Sequence, residues 1–325
     1  MIIGSNSFSG SHLAAHLLSN HYEVHGVSRS KEPNAVFLPY RWGMDERNFQ
    51  FYQYDLNTDF DRFLELVLKI RPEYIVNFAA QGMVAPSWEN PEQWMMTNAV
   101  VCAWLVKGLK NRAFLKKYVQ ISTPEVYGSC EGLVKEDTGY DPSTPYAVSK
   151  TAADMMLTAY FKTYGFPVVF IRSANVFGPG QQLYRIVPRA AWYFLKERTL
   201  LLHGGGRSVR SFIHIQDVCR GIEKAMISGQ PGEAFHFATE KNISIRSLVK
   251  LIATRLCVPF SEFVDDVDDR PGKDRAYLLD CSKSNRVLDW RAEIGLEDGI
   301  DQTIAWIKKN MDVLQTEPEE YIHKP

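Results

Sequence analysis

Short apolar runs, spaced by amphipathic stretches, set the pattern of this chain. Residues 1–3 are apolar and run into a polar turn bounded by Gly4 and Gly10. The spacing over 11–20 predicts an amphipathic helix, and 23–28 a second strand. The rhythm then repeats. It predicts strands over 51–56, 74–78, 117–121 and 166–171, and helices over 59–70, 92–109 and 146–164. Strands that are apolar at almost every position are those buried on both faces. Alternation of this kind predicts a parallel, doubly wound α/β sheet.

After residue 172 the pattern changes. A turn-rich stretch over 172–180 precedes a helix over 187–197, a strand over 200–203 and the triplet Gly204-Gly205-Gly206. Segments 212–215, 216–227 and 234–237 read as a strand, a helix and a strand that return to the main sheet. From 243 onward, helices over 245–255 and 299–309 and a polar loop over 265–274 predict a smaller α/β lobe. We therefore expect a dinucleotide-type unit over 1–172, completed by 211–239, and a second unit from 173–210 and 240–325. The polar segment 315–325 is expected to be poorly ordered. The run Ala99–Val106 is apolar on nearly every side of its helix, which implies burial or contact with another subunit.

Composition narrows the classes. With 45% hydrophobic and 23% charged residues and a net charge of −1, the chain fits a globular protein and not a nucleic-acid or anionic-membrane binder. No apolar run is long enough to span a bilayer. Met1 leads directly into the first strand, so we expect no signal peptide and a cytoplasmic location. Five scattered cysteines without a CxxC pair read as free thiols. His12 and His16 share a helix face, but no third ligand accompanies them, so no metal is expected.

Candidate chemistry concentrates at strand ends. Gly4…Gly10 sits between a strand and a helix inside a βαβ unit, the context in which a dinucleotide pyrophosphate meets a helix N-terminus. Ser7 stands where a middle glycine is usual, so its side chain either turns away from the phosphates or binds them. After the second strand an acid would bind the ribose of NAD. This chain has Ser28-Arg29-Ser30-Lys31, which suits the 2′-phosphate of NADP; a solvated surface arginine is the plainer alternative. Asp55, at the end of the third strand, is placed to accept from an adenine amino group. Tyr146 and Lys150 lie four apart on one helix, a phenol beside a cation that favours the phenolate. Ser122-Thr123 follow the fifth strand, with Glu125 two residues on.

Taken together and in order, these pieces resemble the extended short-chain dehydrogenase/reductases, specifically the nucleotide-sugar epimerase/dehydratase group. Carrying the resemblance are Gly4…Gly10, Asp55-Leu56, Asn77-Phe78-Ala79-Ala80, Ser122 to Gly128, Tyr146 to Lys150, Arg172 to Pro179, Arg210 to Asp217 and Arg270-Pro271-Gly272-Lys273-Asp274. The resemblance implies a Rossmann-type sheet with a smaller substrate lobe. It implies that Tyr146 takes the C4 hydroxyl proton of a sugar, that Lys150 tunes it and holds the nicotinamide ribose, and that Thr123 binds the C4 oxygen. Gly4, Ser7, Phe8, Ser9, Gly10, Ser28, Arg29, Asp55, Leu56, Ala79, Ala80 and Gln81 would line the cofactor, NADP or alternatively NAD. Val84, Ser87, Asn175, Arg185, Arg210 and Arg270 would face a nucleotide-diphosphate sugar. A homodimer through the helices near 92–110 and 146–164 is also implied.

Within that group, Glu125 marks the 4,6-dehydratases and the C4-oxidising decarboxylases; the simple 4-epimerases usually lack a carboxylate there. The leading expectation is a 4,6-dehydratase. A 4-epimerase, C4 oxidase or decarboxylase on the same scaffold, and last a non-catalytic dinucleotide-binding protein, are the alternatives. Pro124 departs from the aspartate of the dTDP-glucose enzymes. The 22–27 strand with Arg29 resembles the NADP-using GDP-mannose enzymes, whereas the Arg270-Pro271-Gly272 loop resembles the dTDP-glucose type.

Overall fold

The computed structural model describes residues 1–43, 46–130, 132–268 and 278–324. Seven parallel strands form the central sheet. Across it they run Ala234–Phe237, Val168–Ser173, Lys117–Ile121, Tyr74–Asn77, Ile2–Ile3, Val24–Ser28 and Phe49–Gln53. Alternate residues of each strand face opposite sides, so neighbours in sequence enter different cores. Ile2, Val76, Val119 and Val169 pack with helices Phe8–Ser19 and Ile215–Ser228. Ile3, Ile75, Tyr118 and Val168 pack with helices Phe60–Ile70, Val101–Leu109 and Pro145–Tyr164. The strand order reverses between Ile2–Ile3 and Tyr74–Asn77, and the carboxyl ends of these two strands open a crevice.

A third core belongs to the smaller lobe. Helices Ile186–Leu195, Ile245–Arg255 and Leu296–Lys309 enclose Val187, Trp192, Leu248, Ile252, Ile300 and Ile304. Against this core lies a three-stranded sheet in which Val209–His214 pairs in parallel with Asn175–Phe177 and antiparallel with Asn242–Ser244.

Several expectations shift. The third strand ends at Gln53, leaving Asp55 and Leu56 in the turn beyond it, where Asp55 Oδ1 accepts from the Asn57 amide at 2.9 Å. Residues 212–215 do not rejoin the central sheet; their strand is claimed by Asn175–Phe177 and Asn242–Ser244. Val264–Val267, read as loop, is a strand parallel to Leu200–His203. The helical stretch from Pro91 to Leu109 holds a π turn at Met95–Val100. The segment expected to be poorly ordered is held by named contacts. Glu319 meets Arg198 and Trp192, Glu320 meets Arg189, and the His323 ring stacks on Trp94 at 5.2 Å. The polar side chains that read as solvent-seeking find partners far away in sequence.

Candidate active site

The crevice begins at the first turn. Gly4 has φ +86°, and a Cβ there would lie 2.9 Å from the Ala79 amide nitrogen. A Cβ on Gly10 would lie 2.2 Å from the Gly4 carbonyl oxygen, so this glycine lets the helix start close against the turn. Ser7 resolves its two readings: its hydroxyl donates to the Gly4 carbonyl at 2.7 Å and accepts from the Gly10 amide at 3.1 Å. It is the N-cap of Phe8–Ser19 and satisfies one of the first-turn amides that helix geometry leaves without an intrahelical acceptor. Gly4, Ser7, Ser28, Arg29, Asp55 and Leu56 line a cavity of about 370 Å³. Ala79, Ala80 and Gln81, beyond the fourth strand, close its far side.

A second cavity, of about 670 Å³, adjoins the first and shares Ser7, Arg29, Ala80 and Gln81 with it. Thr123, Glu125, Tyr146, Lys150, Asn175 and Arg185 line it, with Phe8 and Ser9 at its edge. Two helix starts position the reactive side chains. Thr123 caps the short turn Pro124–Tyr127, its Oγ1 accepting from the Glu125 amide at 3.3 Å. Pro124 occupies the first position of that turn, where its fixed φ is favourable and its missing N–H costs nothing. Thr144 caps Pro145–Tyr164 by accepting from the Ala147 amide at 3.1 Å, which puts Tyr146 in the first turn.

The electrostatics differ from the simple phenol-and-cation reading. Burial and the nearby Glu125 carboxylate push the Tyr146 phenol well above its ordinary value; a hydrogen bond with Thr123 and the Arg185 charge oppose them. Lys150, one turn further along the helix, is buried. Its Nζ donates to the Ile121 carbonyl at 2.7 Å, and burial lowers its own pKa. The four-residue spacing places both side chains on one face, but the ammonium is drawn onto the strand.

Other expected residues lie outside the cavity. Ser87 is buried, with its hydroxyl donating to the Val84 carbonyl at 2.6 Å and accepting from the Tyr146 amide at 3.2 Å. Ser87 and Val84 thus brace the helix start and do not line the cleft. Arg210 donates to the Val209 carbonyl at 2.8 Å and is not among the lining residues. Arg270 lies outside the described residues.

Sequence reading missed three supports. Asn98, in the π turn, accepts from the Gln81 amide at 2.8 Å and donates to the Gln81 carbonyl and to Ser149 Oγ. It ties the cofactor-side loop to the Tyr146 helix; a lone amide inside an apolar run was the available signal. Asp154 accepts from Ser122 Oγ at 2.6 Å and from Arg172 at 2.9 Å, all three buried. Its spacing of 146, 150, 154 was legible. Tyr321, which borders both cavities, carried no local signal.

The family model described as GDP-mannose 4,6 dehydratase matches residues 1–303. The dTDP-glucose 4,6-dehydratase of Streptomyces antibioticus is 31% identical over 320 residues, covering 95% of this chain and 92% of that protein. The dTDP-D-glucose 4,6-dehydratase of Mus musculus is 30% identical, covering 95% and 88%. Among solved structures, the dTDP-glucose 4,6-dehydratase of Streptomyces venezuelae with NAD bound matches with a TM-score of 0.87 at 30% identity, covering 96% and 97%. The UDP-glucose 4-epimerase of Thermotoga maritima matches with a TM-score of 0.86 at 26% identity, covering 95% and 98%.

Proposed function

The chain belongs to the GDP-mannose 4,6-dehydratase family, and we propose on that premise that it converts a nucleotide-diphosphate hexose to its 4-keto-6-deoxy derivative. The observation that carries this is Glu125 in one cleft with Thr123, Tyr146 and Lys150. Tyr146 accepts the C4 hydroxyl proton while Thr123 holds the oxygen. When bound, the dinucleotide supplies the hydride acceptor at C4, a positive charge that favours the phenolate, and the hydride returned to C6. The C4 ketone acidifies the C5–H. Glu125 removes that proton and passes it to the departing C6 hydroxyl, which leaves as water; as hydride returns to C6, C5 takes a proton from water and Tyr146 gives up the one it accepted, so the charge balances. Lys150 and Gln81 hold the dinucleotide side, Asn175 and Arg185 the sugar-nucleotide side. A guanidinium fork suits diphosphate oxygens.

For the cofactor, the Arg29 environment supports NAD over the NADP expected from Ser28-Arg29-Ser30-Lys31. The Arg29 guanidinium donates to the Lys324 carbonyl at 3.0 Å, so it is already engaged where a 2′-phosphate would need it. NAD in the Streptomyces venezuelae relative agrees. A homodimer is supported by apolar side chains left in water on the Pro145–Tyr164 helix: Val148, Met155, Met156 and Tyr164. Among the described residues no helix is long and apolar enough to cross a membrane, and the five cysteines are unpaired, which fits the reducing cytoplasm.

The test is product analysis by mass spectrometry and NMR after incubation with dTDP-glucose, GDP-mannose, CDP-glucose and UDP-glucose separately. Loss of one water from one of them is expected. Glu125→Gln should still oxidise C4 but lose turnover by roughly 10²- to 10⁴-fold, with reduced nicotinamide absorbance accumulating. An unchanged mass with inverted C4 would establish the epimerase reading in its place.

A further inference from the structure

Residues 319–324 cross from the small lobe to the dinucleotide unit. At one end Glu319 accepts from Trp192 Nε1 at 2.9 Å and from Arg198 at 2.6 Å, while Glu320 accepts from Arg189 at 2.5 Å. At the other end the Lys324 carbonyl accepts from Gln81 Nε2 at 2.7 Å and from Arg29 at 3.0 Å. His323 stacks on Trp94 and pairs its Nε2 with Gln93 Oε1 at 2.7 Å. Between these anchors Tyr321 packs edge-on against Tyr184 at 5.5 Å.

The crossing roofs a space and does not fill it. Gly4, Ser28, Asp55 and Ala79 form the floor of the cavity of about 370 Å³, and Tyr321, Ile322 and Lys324 line the same cavity from the opposite side. Tyr321 also borders the adjoining cavity that holds Tyr146 and Lys150. A dinucleotide reaching from Asp55 to Lys150 must pass beneath this segment.

We propose that residues 319–324 are a strap that retains the bound dinucleotide, with Tyr321 and the Lys324 main chain as the fourth wall of its site. This rests on the proposed reading for the identity of the ligand. The chemistry gives the strap its purpose: hydride leaves C4 and returns to C6, so the cofactor is regenerated in place and has no need to exchange. The anchors suit a strap that opens at intervals. At the small-lobe end they include ion pairs near the surface, each individually weak, and Glu320 is largely exposed.

The experiment measures dissociation of NADH by stopped-flow fluorescence, with excess NAD as the competitor. Three proteins are compared: the full chain, a chain ending at Thr316, and the double variant Glu319→Gln/Glu320→Gln, which loosens only the distant anchor. Dissociation should quicken by roughly tenfold in the shortened chain and by about threefold in the double variant, with unchanged circular dichroism. Rates equal to the full chain in the double variant would overturn the strap, even if the shortened chain failed to fold. Tighter NADH binding after shortening would overturn it too, by showing the segment to be a competitor. A full chain that binds neither NADH nor NADPH would instead overturn the functional reading.

Discussion

Replacing Asp154 with asparagine should destabilise this protein by about 3 kcal/mol, although the residue itself lines neither cavity. The side chain is fully buried, and Arg172, its partner at 2.9 Å, is 2% exposed. Removing the charge from one member of a buried pair strands the other in a medium that solvates it poorly, at a cost of about 3–5 kcal/mol. The lower end applies here, because Arg172 also donates to the Tyr127 and Tyr140 hydroxyls and lies over both rings. An asparagine oxygen can still accept one bond. At an unfolding entropy of about 2.1 cal/mol/K per residue, that loss lowers the melting temperature of a chain this size by about 4 °C. Urea unfolding, with the midpoint and slope fitted together, is the assay. The double change Asp154→Leu/Arg172→Met should recover most of the loss, since a well-packed apolar pair often replaces a buried ion pair without cost. A shift below about 1 kcal/mol for Asp154→Asn would refute the reasoning and leave the pair worth no more than a surface ion pair.

Acid should weaken the fold through histidines held neutral by burial. His12 and His214 are pushed down to about 4 and His236 to about 3. Folded values below the unfolded 6.5 mean that the unfolded chain binds more protons once pH drops under about 6.5, so stability falls from there toward pH 4. Between pH 7 and 5 each group costs up to about 2 kcal/mol; a urea midpoint that held or rose at pH 5 would exclude this. Met155, 59% exposed on the Pro145–Tyr164 helix, should tolerate no charge if that surface pairs with a second copy. Sedimentation should show a dimer for the parent and a monomer for Met155→Glu, and a monomeric parent would remove the interface.

The central sheet was legible because its strands are buried on both faces and therefore short and apolar. Lys117–Ile121 and Ala234–Phe237 fall where the pattern put them. Boundaries moved where a residue away from the strand decided pairing, as at Phe49–Gln53, where register with Val24–Ser28 ends the strand before Asp55. The glycine turn was legible for a steric reason: Gly4 and Gly10 leave no room for a Cβ. What sequence could not give was the partner of each polar side chain. Lys150 meets a carbonyl 29 residues earlier, and Gln81 a carbonyl 243 residues later. No periodicity encodes such pairings, and for this reason the 315–324 segment read as poorly ordered although it is held by distant partners.

Pro124 shows how geometry changes the weight of a departure. In sequence it reads as a lost acid, a departure from the aspartate of the dTDP-glucose enzymes. In the structure it is the first residue of a turn capped by Thr123, and the turn carries Glu125 into the cleft. A proline there stiffens the approach of the remaining carboxylate, because its φ is already fixed for the turn. On the proposed reaction a second acid is also unnecessary. The proton that leaves C5 is the proton the C6 hydroxyl must gain, and one carboxylate near both carbons can carry it from the first to the second. Two groups would have to be reset after every turnover, one protonated and one not; a single Glu125 ends each dehydration in the state in which it began.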